Sequence, residues 1–155
     1  MEKQEAIETI KDIITSLTAQ MEIEVRVEVE DSEVSGLMFN LHTTDTQSLI
    51  GRQGSNLHAL QLLVQQMAVK KLSYGNVPHF SIDVDDYRQK RIWFIKEMTK
   101  HAAEKVKNTG QAVTLEPMPN YERRLVHAYI QESFPEMISE STGDGSSRRT
   151  TIRKI

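Results

Sequence analysis

The sequence predicts an α+β protein made of two small units in tandem, and three observations predict it. Hydrophobic periodicity switches several times between the helical spacing of three to four residues and strict alternation. Glycine, proline and asparagine clusters fall where the period changes. The chain has 155 residues, 38% hydrophobic and 26% charged, which is enough apolar material for one ordinary core or two small ones. Cysteine is absent, which removes disulfide frameworks, thiolate metal sites and cysteine nucleophiles. No apolar run is long enough to span a bilayer. The start, Met1-Glu2-Lys3-Gln4-Glu5, lacks the character of a secretory signal. A cytoplasmic protein is expected.

Ala6, Ile10, Ile13 and Leu17 recur at helical spacing, so residues 3–19 read as an amphipathic helix. Ile23, Val25, Val27 and Val29 then alternate with charged residues, and Leu37, Phe39 and Leu41 alternate again beyond Asp31-Ser32-Glu33. This is a β-hairpin with one buried face. Asp45 can cap a short turn, Thr46 to Ile50, and Ser55 can cap a longer helix with the stripe Leu57, Leu60, Val64 and Met67. The segment from Tyr74 to Pro78 breaks that helix, and Phe80, Ile82 and Val84 form a third strand. Asp86 is placed to cap a long helix running to about Lys107, closed by Gly110. Gln111 to Leu115 reads as extended. Asn120 is expected to cap a helix that ends before Pro135, and two strands follow, Met137 to Thr142 and Arg148 to Lys154. The division is expected at the start of the long helix, giving domains 1–86 and 87–155.

Net charge is only −3, but its distribution is uneven. Residues 1–45 carry −8, residues 46–114 carry +5, and residues 115–155 are neutral. A polyanion site is therefore expected after residue 45, because fields act locally; solvation of helix faces is the plainer reading of the same charges.

Gly51-Arg52-Gln53-Gly54 lies between two helices and just before Ser55. Two glycines let backbone approach a ligand closely, and the following helix N-terminus turns N–H groups toward an anion. Arg52 adds a cation at the tip. KH domains clamp a nucleic-acid backbone with such a loop, whereas a tight helix–helix turn is the alternative. The order helix, strand, strand, short helix, Gly loop, helix, strand is that of a type II KH domain. Further on, Arg123 and His127 stand four apart and share a helix face beside the apolar stripe of Leu125, Val126, Tyr129 and Ile130. A guanidinium fork and an imidazole suit phosphate oxygens and base edges. A surface pair or a structural histidine remains open from spacing alone. On the last strand, alternation sets Arg149 and Arg153 on one face and Arg148 and Lys154 on the other, as either an RNA contact or a charged edge.

The runs LIGRQGSNLHALQLLVQQM, DVDDYRQKR and AEKVKNTGQAVTLEPMPNYERRLVHAYIQE, in that order, resemble the Jag family of bacterial RNA-binding proteins, also called KhpB. The resemblance implies a type II KH domain followed by a small α+β R-3-H domain, named for its Arg-x-x-x-His pair. It implies RNA-binding roles for Gly51, Arg52, Gln53, Gly54 and Ser55, and for Arg123 and His127, with Arg148 and Arg149 as further candidates. It further implies a small stand-alone KH protein, or a second copy, as partner, and a part in post-transcriptional control of cell growth. Two positions depart from the family: Gln53 makes the loop less cationic, and Ser146-Ser147 replaces a proline-containing turn. Many family members carry an N-terminal module ahead of the KH domain. This sequence starts at the KH helix, so no membrane tether is expected from it.

The five histidines form no HExxH or ligand-spaced cluster, and neither a Walker loop nor GxSxG occurs. The reading is a non-catalytic binder of single-stranded RNA without metal or cofactor. A protein-interaction scaffold is the first alternative and a metal-dependent nuclease, suggested by Asp83, Asp85 and Asp86, the second.

Overall fold

The computed structural model describes residues 3–73 and 75–155. The expectations at Met1, Glu2 and Tyr74 lie outside the described residues. The chain separates into two compact units, one ending at Arg88 and the other beginning at Gln89.

The first unit runs α1 (Lys3–Gln20), β1 (Arg26–Ser32), β2 (Gly36–His42), α2 (Thr46–Ile50), α3 (Ser55–Leu72) and β3 (Phe80–Val84). β1 pairs antiparallel with β2, as a hairpin must, and β2 pairs parallel with β3, giving the order β1-β2-β3. A parallel pair needs a long crossover, and α2 and α3 supply it. Ile10, Ile13 and Ile14 of α1 are buried with Leu57 and Val64 of α3 and with Leu37, Phe39, Leu41 and Ile82 of the sheet. Phe39 and Phe80 meet edge to face at 5.7 Å.

β3 is an edge strand, and the buried Gln61 of α3 caps its free side. Its Nε2 donates to Phe80 O at 3.1 Å and its Oε1 accepts from Ile82 N at 2.5 Å. The turn after β3 departs from the expected capping. Asp85 and Asp86 both have positive φ, 46° and 58°. Asp86 faces Asn40, whose Nδ2 donates to it at 3.0 Å, while buried Asp83 accepts from Val84 N and from Arg88 N in the first turn of α4 (Tyr87–Thr109). Burial pushes the Asp83 carboxyl up, against those two backbone donors.

The second unit holds α4 from Gln89 onward, β4 (Val113–Thr114), α5 (Asn120–Ser133), β5 (Met137–Thr142) and β6 (Arg149–Lys154). The sheet order is β4-β6-β5, all antiparallel. Ile95, Ala103 and Val106 of α4 pack with Val126 and Ile130 of α5 and with Met137 and Ile152 of the sheet. Asn120 is the first residue of α5 and Pro119 occupies the cap position; the Asn120 side chain accepts from Arg123 Nη2 at 3.3 Å instead of from the helix backbone. β6 starts at Arg149, one residue later than the sequence suggests, because Arg148 closes a helical turn over Gly145–Ser147. Both units mix helix and strand, so the α+β expectation holds, and the first unit has the type II KH order.

Candidate nucleic-acid interface

Asp45 fixes the approach to the glycine loop by accepting from Ser48 N at 3.3 Å. Gly51 N then donates to Gln47 O at 2.8 Å and closes α2. Gly51 has φ 69° and ψ −176°, and a Cβ there would lie 2.5 Å from Cγ of Asn56. That asparagine is itself held by donating to Ser48 O at 2.9 Å, so glycine is required twice over. Arg52–Gly54 form a single tight turn with Gln53 in the left-handed region, φ 54° and ψ 28°. Gly54, φ 82°, takes the cap position of α3, while Ser55 is already helical at φ −61°, one residue further in than a capping role allows. No side chain caps α3. Gly54 N donates to Gly51 O at 3.4 Å and Ser55 N to Arg52 O, so the turn's own carbonyls take these N–H groups. The positive end of the 18-residue helix opens beside exposed Arg52 with no carboxylate in its first turn. Beneath the loop, the Tyr87 ring stands 3.0 Å from where a Gly54 Cβ would be. Sequence reading missed Tyr87, since it lies 33 positions from Gly54 and only the fold joins them.

In the second unit, α5 turns Arg123 and His127 toward different tasks. Arg123 Nη1 donates to Met118 O at 2.7 Å, which orients its fork and leaves further N–H groups for an anion. His127 Nδ1 lies 2.6 Å from Ser139 Oγ and its Nε2 lies 2.7 Å from Ser141 Oγ. Ser141 Oγ in turn meets Thr150 Oγ1 at 3.0 Å. Burial pushes His127 below its ordinary value; Arg123 and Arg148 push the same way, and the Ser139 hydrogen bond only partly opposes them. A neutral ring with one donor and one acceptor nitrogen suits two serine hydroxyls. His127 is thus a positioning residue whose nitrogens are both engaged, and the cations near it are Arg123 and Arg148.

Arg148 Nη1 donates to Gly143 O at 2.7 Å. Arg149 is placed differently. Thr150 and Ile152 of β6 are buried, so Arg149, Thr151 and Arg153 take the opposite face of the sheet, where Arg153 pairs with Glu140 at 3.0 Å. The structure brings Arg123, His127 and Arg148 together and leaves Arg149 apart. Ser139 and Ser141 escaped the sequence reading. Their signal was present, two small polar residues at i and i+2 on the face that begins with Met137.

Fold and sites together define a two-module protein, a KH domain followed by an R-3-H domain. The family model for the KhpA/KhpB KH domain matches residues 7–76, and that for the R-3-H domain matches residues 94–154. The chain belongs to the KhpB/Jag family. It is 32% identical over 147 residues to the RNA-binding protein KhpB of Clostridium symbiosum, covering 95% of this chain and 64% of that one. It is 30% identical to that of Lactiplantibacillus plantarum, over 81% of this chain and 38% of that protein. Against that of Bacillus subtilis (strain 168) identity is 26%, over 98% and 72%. The chain thus spans less than two thirds of the first two relatives.

Proposed function

We propose that this chain binds single-stranded RNA without catalysing its cleavage. The observation that carries the reading is the Gly51–Gly54 loop, which opens an uncapped 18-residue helix beside exposed Arg52. Phosphates are held by Arg52 and by the positive end of α3, which the glycines let the strand approach closely, and unstacked bases lie alongside, so single strands are preferred over duplex. Arg123 and Arg148 supply a second phosphate contact, with His127 and its serines holding that surface in shape. The relatives' name as RNA-binding proteins supports the same reading. Action in the cytoplasm on transcripts that govern cell growth belongs to this proposal, as does association with a small stand-alone KH protein. Leu62 and Leu63, about half exposed on α3, favour such a protein contact.

The test is the double substitution Arg52→Asp with Gln53→Asp. Arg52 is exposed and aspartate tolerates the left-handed region at position 53, so the fold should survive. Binding of a labelled single strand should fall at least tenfold, while the parent protein should lose affinity steeply as salt rises. A folded double mutant that binds as the parent does would reduce the loop to a turn.

A further inference from the structure

Trp93 and Phe94 interrupt an otherwise charged face of α4. They are 65% and 49% exposed, although burial of such rings is among the largest apolar gains a fold can make. With Gln89 and Lys90 they line one shallow groove on the second unit. Lys90 and Lys96 stand three residues before and after Trp93, and Lys100 stands a further turn along; all three are exposed. Half-buried Glu97 is the acidic member of this face. No ion pair of Lys96 or Lys100 occurs among the described residues. On the inner side of the same helix Arg91 is fixed to buried Glu122 by two hydrogen bonds, at 2.7 and 2.9 Å, and its guanidinium lies 5.3 Å over the Phe94 ring. The aromatic pair therefore sits on an anchored stretch of helix.

We propose that Trp93, supported by Phe94, is a base-stacking platform for single-stranded RNA, a contact separate from the glycine loop and from the Arg123 site. This rests on the RNA-binding reading above and adds a third contact to it. Charge complementarity selects the occupant. A protein partner seated on the indole would have to desolvate the surrounding ammonium groups, and lysine is depleted from protein interfaces for that reason. A nucleic-acid strand uses both features, since a base covers the ring face while flanking phosphates meet Lys90, Lys96 and Lys100. Stacking of this kind tolerates any base, so the platform adds affinity with little sequence preference.

Trp93 is the single tryptophan of the chain, which makes its emission a direct reporter. The full chain is titrated with an end-labelled oligonucleotide of about ten nucleotides, and label anisotropy and tryptophan emission are followed together. Emission should be quenched in step with the anisotropy rise. Trp93→Ala should weaken binding roughly tenfold with an unchanged thermal melt, and Trp93→Phe should retain most of the affinity. If anisotropy rises while emission stays constant and Trp93→Ala binds like the parent, the platform is wrong and the RNA-binding reading stands. If anisotropy does not rise, both fail. If emission changes with protein concentration alone, through self-association that Trp93→Ala removes without loss of RNA affinity, the patch is a contact between copies and the platform is again wrong.

Discussion

His42 and His127 are held by opposite chemistry, one in each unit. The His42 ring is bracketed by carboxylates, with Nδ1 2.8 Å from Asp85 and Nε2 2.8 Å from Glu28. Hydrogen bonding to Asp85, then to Glu28, raises it above the ordinary 6.5, against desolvation and the charge of Arg26. The stability it contributes is complete below 6.5 and lost as pH rises through the raised value. His127 is lowered by burial, by Arg123 and by Arg148. Its contribution is present above 6.5 and lost as pH falls through the lowered value. An NMR titration of the imidazole C–H signals should place the two midpoints on opposite sides of 6.5. His42→Gln should remove the acid-side gain of the first unit, and His127→Gln the acid-side loss of the second. Midpoints on the same side would contradict the hydrogen-bond assignments. At this scale the sequence was partly legible. It singled out Arg123 and His127 as neighbours, because i, i+4 spacing is local. It did not show that His127 spends both nitrogens on Ser139 and Ser141, which come from a strand twelve or more residues away.

Among the elements, α4 and α5 are joined by the Arg91–Glu122 pair, with Glu122 5% exposed. A buried carboxylate left without its cation is far worse than an apolar pair in the same place. Arg91→Ala should therefore destabilise the second unit by about 3 kcal/mol. Arg91→Met combined with Glu122→Leu should recover most of that loss. Denaturant unfolding followed by Trp93 emission reads this unit, and equal losses in the single and double variants would show that the pair is not what joins the helices. Elements were the most legible level in the sequence, since period 2 gave β1, β2 and β3 and period 3.6 gave α1, α3 and α4. Their ends were not. Ser55, Asp86 and Asn120 have capping chemistry, yet the cap positions went to Gly54 and Pro119, and the first turn of α4 to Asp83. The left-handed turn at Gln53 moved the start of α3 by a residue, and those at Asp85 and Asp86 changed which carboxylate faces α4. Gln61 was hidden for a related reason. A polar residue inside an apolar stripe looks like a flaw until the free edge of β3 is placed against it.

For the whole molecule, the division of charge and of sites between two units sets how affinity must depend on RNA length. The acidic residues concentrate before position 46, and the candidate contacts all follow it, at Arg52, Trp93, Arg123 and Arg148. A strand of about four nucleotides fills one KH site and nothing more. A longer strand held by one unit is kept at high local concentration near the other by the peptide chain itself, and gains affinity without any new kind of contact. Arg123→Gln with Arg148→Gln should then leave four-nucleotide binding unchanged and weaken binding of a strand several times longer, by up to about 10²-fold. Neither arginine is part of a core, and both variants keep hydrogen-bonding groups for Met118 O and Gly143 O, so a thermal melt should match the parent. Arg52→Asp with Gln53→Asp should weaken short and long strands alike, because the short strand has no other site to use. If the two arginine substitutions weaken short and long strands by the same factor, the second unit acts on the KH unit and not on the RNA. If they weaken neither, the surface around His127 is structural, and the length dependence must come from elsewhere on the chain.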